Sequence, residues 1–88
     1  MPSKLLFGGD GWEDYTFWQG HDKKTLKRIN KLIAETLRTP YSGVGKPEAL
    51  KHDLQGFWSR RIDQTHRIVY RVEDDYIEIV QCRAHYGD

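Results

Sequence analysis

The sequence predicts an α+β fold in which two N-terminal helices cover one face of a small antiparallel sheet. Three observations predict it. Residues 22–38 place Leu26, Ile29, Ile33 and Leu37 at helical spacing. Three strand-like runs, 56–62, 66–72 and 76–86, fill the C-terminal part. Only Asp63-Gln64-Thr65 and Glu73-Asp74-Asp75 separate them, which suits a three-stranded meander. Helices gathered ahead of strands, rather than alternating with them, point to α+β.

The elements follow in order. Lys4-Leu5-Leu6-Phe7 reads as a short first strand closed by Gly8-Gly9. Asp10 offers an N-cap with Glu13 three residues on, and Trp12, Tyr15 and Trp18 or Gln19 recur at helical spacing, so a short helix follows. The second helix, 22–38, sets its apolar stripe beside Lys23, Lys24, Lys27, Arg28 and Lys31. Thr39-Pro40 stops it, because the residue before proline is pushed out of the helical region. The stretch "YSGVGKPEALKHDL" has no sustained period and reads as a loop or broken turn. Three-residue hairpin loops would pair Ile62 with His66 and Val72 with Tyr76, and this register sets the faces. Trp58, Ile62, Ile68, Tyr70, Val72, Val80 and Cys82 would meet the helices. The opposite face would carry Ser59, Arg61, Arg67, Gln81, Arg83 and His85 at one end, with Phe57, Val69, Ile77 and Ile79 at the other.

Eighty-eight residues make a single domain, 1–88, with a small core rich in aromatic side chains. No apolar run approaches ~20 residues and no secretory h-region opens the chain, so a cytoplasmic protein without a membrane span is expected. The lone Cys82 excludes an internal disulfide and reads as a small buried hydrophobe. His21, His52, His66 and His85 lack ligand spacing, and "SGVGKP" lacks the phosphate-loop pattern, so no metal and no cofactor are expected. Charge is segregated. Residues 23–38 set six cations against Glu35, and residues 46–71 set Lys46, Lys51, Arg60, Arg61, Arg67 and Arg71 against Glu48, Asp53 and Asp63. Acids dominate both ends. A basic middle suits a polyanionic partner, although solvated helix faces produce such runs too.

The expected register places Arg61 directly across from Arg67. Like charges so placed destabilise a strand pair unless they splay into water, meet acids, or hold an anion between them. Metal-free RNA cleavage needs a base for the ribose 2′-hydroxyl, cations for the pentavalent phosphate and an acid for the 5′-oxygen. Glu48, Arg61, Arg67, Lys51 and His85 supply those types. Singly, each has a plainer account: Glu48 after Pro47 as a helix-turn cap, Lys46 and Lys51 as solvated loop cations, His85 as a surface imidazole, Tyr86 as a core-closing ring, Trp58 as core.

Taken together, "EDYTFWQ", "KRINKLI", "RTPYSGVGKPEALKHDL", "GFWSRRI", "HRIVYRV" and "CRAHY" closely resemble the YoeB branch of the YoeB/RelE toxin family, over nearly the whole chain. The resemblance implies a RelE-like microbial RNase fold and the toxin of a bacterial type II toxin–antitoxin system. Such toxins are ribosome-dependent endoribonucleases that cut mRNA in the ribosomal A site. It implies Glu48 as general base, His85 as general acid, Arg61 and Arg67 as phosphate clamp, Lys51 and Lys46 as assisting cations, and Tyr86 as the ring that orients or stacks the substrate. It further implies a YefM-like antitoxin, operator DNA bound only through the antitoxin complex, mRNA and ribosomal RNA on the 70S ribosome as partners, and a homodimer. Two alternatives keep the fold: a non-catalytic module that blocks translation by occupancy, and a corepressor acting with the antitoxin. The chain departs from the family pattern in carrying Gly87 and Asp88 after the tyrosine, and in its glycine-rich "FGGDGW".

Overall fold

A computed structural model describes residues 2–84. Strand β1 (Lys4–Phe7) leads into helices α1 (Gly11–His21) and α2 (Lys23–Arg38). Strands β2 (Glu48–Ala49), β3 (Phe57–Arg61), β4 (Arg67–Val72) and β5 (Tyr76–Gln81) follow, with a 3-10 turn at His52–Leu54. The sheet runs β1-β5-β4-β3-β2. The expected meander is there, in a sheet that is mixed rather than antiparallel throughout: β1 lies parallel to β5, and the unforeseen two-residue β2 adds an antiparallel edge next to β3.

Asp22 separates the two helices and caps the second. Its Oδ1 accepts from the Lys24 and Thr25 amides, each at 3.1 Å, and its Oδ2 from the Thr25 hydroxyl at 2.8 Å. These bonds, the Thr25 hydroxyl foremost, hold the carboxyl below its ordinary range. Asp10, expected to cap α1, makes no side-chain cap bond. The glycine-rich entry to α1 has a different cause. Gly11 packs against β5 so closely that a Cβ there would stand 2.2 Å from the Ile79 carbonyl oxygen.

The core joins Trp18, Ile29, Leu32 and Ile33 of the helices to Ile62, Ile68, Tyr70, Ile77, Ile79 and Cys82 of the sheet side. Each such aliphatic side chain contributes about 1.5–3 kcal/mol by burial. Ile77 and Ile79 correct the expected faces. The β4–β5 turn is one residue tighter than the spacing suggested, with the Glu73 amide on the Tyr76 carbonyl at 2.9 Å, and Val72 therefore pairs with Ile77. A one-residue slip turns every side chain over. Ile77 and Ile79 go in, whereas the three-residue loop would have pointed Glu78 at the helices. An irregularity then shifts the pairing: Tyr70 faces Ile79 while Val69 faces Gln81, leaving Val80 as an extra residue. That bulge brings Cys82 back to the core side, as expected, and makes Val80 only half-buried. No described helix is long and apolar enough to cross a membrane.

Candidate functional site

The sheet face turned away from the helices carries three of the candidate residues, Glu48, Arg61 and Arg67. Pairing puts Glu48 of β2 opposite Ser59 of β3, Ser59 opposite Val69 of β4, and Val69 opposite Gln81 of β5. One step along lies the pair Arg61 and Arg67, directly opposite each other as the spacing predicted. Because strand side chains alternate with period two, Glu48, Ser59, Arg61, Arg67, Val69 and Gln81 share this face.

The charges on it are unevenly matched. Arg67 is half-buried and its Nη1 donates to Ser59 Oγ at 3.1 Å, so the guanidinium leans back along β3 and away from Arg61. Arg61 is exposed. Among the described residues neither arginine has an acid within salt-bridge distance. The contrast is Arg71, at the other end of the face, whose guanidinium meets Glu78 at 2.7 Å and Glu73 at 3.3 Å. That end is neutralised; the Arg61–Arg67 end has no such acid among the described residues.

Glu48 and Lys51 line a shallow depression of about 540 Å³ with Ala49 and Leu50. Glu48 and Lys51 are exposed, as is Lys46, which adopts a left-handed backbone with φ 53°. The structure therefore brings Glu48, Arg61 and Arg67 onto one face and sets Lys46 and Lys51 on the segments flanking β2. His85 and Tyr86, together with Gly87 and Asp88, lie outside the described residues. Arg83 corrects its expected place. The regular strand ends at Gln81, the chain bends, and the Arg83 guanidinium carbon stands 3.6 Å from the centroid of the Phe17 ring on α1.

The end of β5 is fastened from both layers. The Cys82 amide donates to Asp14 Oδ2 at 3.0 Å, and Trp18 Nε1 donates to the Cys82 carbonyl at 2.8 Å. The Ala84 amide donates to Nδ1 of His66, whose ring stands edge-on to Trp18. Burial pushes the Cys82 thiol up to about 12, with the neighbouring Asp14 charge adding to it.

Sequence reasoning placed Ser59 and Gln81 on this face but gave no role in the site to them, to Arg60 or to His66, and all four shape this region. Alternation did carry a signal for one of them. Arg60 falls between outward Ser59 and Arg61, and so among the core-facing side chains, where an arginine needs a reason. Among the described residues no group of three His, Cys, Asp or Glu gathers as a metal would require.

Comparison with known proteins agrees with the fold. A family model described as the YoeB-like toxin of bacterial type II toxin–antitoxin systems matches residues 7–86. Toxin YoeB of Streptomyces coelicolor is 58% identical over 83 residues, spanning 94% of this chain and 99% of that protein. A YoeB/ParE toxin structure from Agrobacterium tumefaciens superposes with a TM-score of 0.90 at 49% identity, covering 96% of this chain and all of that one. YoeB of Staphylococcus aureus has been solved in a heterotetrameric complex with YefM (TM-score 0.89, 42% identity) and as a dimer (TM-score 0.87, 42% identity). Each covers 98% of this chain and all of the matched one.

Proposed function

The chain belongs to the YoeB-like toxins of bacterial type II toxin–antitoxin systems, and we propose that it is a ribosome-dependent endoribonuclease that cuts mRNA in the A site. The observation that carries this reading is the cationic end of the open face. Arg61 and Arg67 stand opposite each other without a described acid partner, on the same face as Glu48. A bridging phosphate would relieve their repulsion.

In this mechanism the Glu48 carboxylate takes the proton of the ribose 2′-hydroxyl, and the freed oxygen attacks the adjoining phosphorus. Arg61 and Arg67 stabilise the charge that accumulates on the pentavalent phosphate. His85 protonates the departing 5′-oxygen, leaving a 2′,3′-cyclic phosphate on one product and a 5′-hydroxyl on the other. Lys51 and Lys46 steady neighbouring phosphates, and Tyr86 stacks on or orients the substrate base. The Lys23, Lys24, Lys27 and Lys31 side of α2 meets ribosomal RNA through salt-sensitive phosphate contacts.

A YefM-like antitoxin neutralises the toxin and carries it to operator DNA, in line with the YefM complex of the Staphylococcus aureus relative. Homodimerisation is supported in the same way. Mapping mRNA ends on programmed ribosomes with and without the protein tests the reading. New ends at the A-site codon are expected. Translation arrest without new ends would replace cleavage with occupancy.

A further inference from the structure

Arg60 is the largest fully buried side chain of the described protein, and it points away from the candidate site. Its Nε donates to the Tyr70 hydroxyl at 3.2 Å, its Nη1 to the Val44 carbonyl at 2.8 Å, and its Nη2 to the carbonyls of Ser42, at 2.8 Å, and Thr39. The Tyr70 hydroxyl donates in turn to the Pro40 carbonyl at 2.7 Å, and burial, outweighing the pull of Arg60, keeps that hydroxyl protonated beyond its ordinary range. No described acid pairs with Arg60.

A charge buried without a counter-ion is costly, and packed apolar side chains would serve stability at least as well. Apart from the Tyr70 hydroxyl, the compensation comes from carbonyl oxygens of one segment. Thr39 is the C-cap of α2, where the helix dipole is negative, and Ser42 and Val44 follow in the irregular stretch ahead of β2. The planar fork of an arginine reaches these separated acceptors at once; a lysine ammonium, on a single nitrogen, does not.

We propose that Arg60 is a positioning residue for Glu48, acting through the 39–46 segment. The chain leaves this clamp at Gly45, whose φ of +89° and lack of a Cβ let it lie against Leu32 and Arg60. The Gly45 carbonyl accepts from the Arg61 amide at 2.7 Å, Lys46 comes next, and Glu48 then pairs with Ser59. Arg60 gathers the strap on one side of β3, and neighbouring Arg61 receives it by its backbone. The inference rests on the reading of Glu48 as the base, and its test separates the two.

The test compares Arg60→Lys, Glu48→Ala and the double variant in single-turnover cleavage on saturating programmed ribosomes, each purified through its antitoxin and released. Arg60→Lys is expected to slow the maximal rate by about 10- to 100-fold, with the half-saturating ribosome concentration within about twofold, as misplacement of a reacting group does. Hydrogen exchange at the Arg61 amide should quicken while the Ile68 and Ile77 amides stay protected. The double variant should be no more than about twofold slower than Glu48→Ala, because a residue acting through Glu48 has nothing left to position. Multiplied effects, or a full rate for Arg60→Lys, overturn the proposal. A full rate for Glu48→Ala instead overturns the reading of the base. Should Arg60→Lys not fold, Tyr70→Phe decides, since it keeps the core ring but removes the Arg60 acceptor and the Pro40 bond. A loss of about 5- to 30-fold with the same non-additivity supports the clamp, as the loss of two ordinary hydrogen bonds would give, and an unchanged rate refutes it.

Discussion

Arg61 and Arg67 stand directly opposite each other across β3 and β4, and Arg67 turns its Nη1 onto Ser59 Oγ at 3.1 Å. The two arginines therefore differ in what they do for the fold. Arg61 is exposed and feels mainly its neighbour's charge, whereas Arg67 supplies the donor for a hydroxyl on a fully buried serine.

Their alanine variants should split accordingly. Each should slow mRNA cleavage by about 10²- to 10³-fold, the usual cost of losing one group that stabilises transition-state charge. In thermal unfolding, Arg61→Ala should leave Tm unchanged or raised, since it removes a like-charge pair. Arg67→Ala should lower stability by about 1–3 kcal/mol, because Ser59 is left without its donor. Equal Tm changes for both would contradict the packing described.

His66 is tied to the candidate acid by one residue, since its Nδ1 accepts from the Ala84 amide just ahead of His85. His66→Phe keeps a ring against Trp18 and deletes the acceptor. Cleavage is expected to fall by about 2- to 10-fold, the equivalent of one ordinary hydrogen bond, with ribosome binding unchanged. An undiminished rate would show that this tether does not reach the chemistry.

Cys82 should be inert in the folded protein. Its thiol is wholly buried and pushed up to about 12, so almost no thiolate exists at pH 8. Thiol-disulfide reagents should label it only as fast as the chain unfolds, with the rate rising along the denaturant curve. Prompt labelling in native buffer would mean that β5 opens locally.

Asp22 makes a pH-dependent contribution. Its carboxyl is held below its ordinary range in the fold, so its stabilisation is complete above the unfolded value near 3.8 and is lost as pH falls through the lower folded value. Asp22→Ala should therefore lower Tm at pH 7, with a smaller gap to the parent protein at a pH below 3.8. A gap of equal size at both pH values would assign the effect to something other than the charged cap.

Much of this arrangement was legible beforehand, for physical reasons. The α2 stripe has a strong period, and the Asp63-Gln64-Thr65 turn, with Asp63 Oδ1 accepting from the Thr65 and His66 amides, sets the β3–β4 register that brings Arg61 to Arg67. The first half of β5 was misplaced because the acids Glu73-Asp74-Asp75 do not reveal how many of them belong to the turn. A charged Glu78 facing the core was the available warning. The bulge at Val80 and the parallel pairing of β1 depend on contacts distant in sequence, including Gly11 against Ile79, and no local pattern encodes them. Strand β2 is too short to show a period, so Glu48 entered as a residue type and acquired its place on the open face only through pairing with Ser59.

The central claim is that Glu48 is the base of an RNA-cleaving face it shares with Arg61 and Arg67. Single-turnover cleavage of A-site mRNA by the parent protein and by Glu48→Gln tests it most directly. Glu48→Gln should retain ribosome binding and lose about 10²- to 10⁴-fold in rate, the range expected for removing a general base. Cleavage at the parental rate would contradict the account.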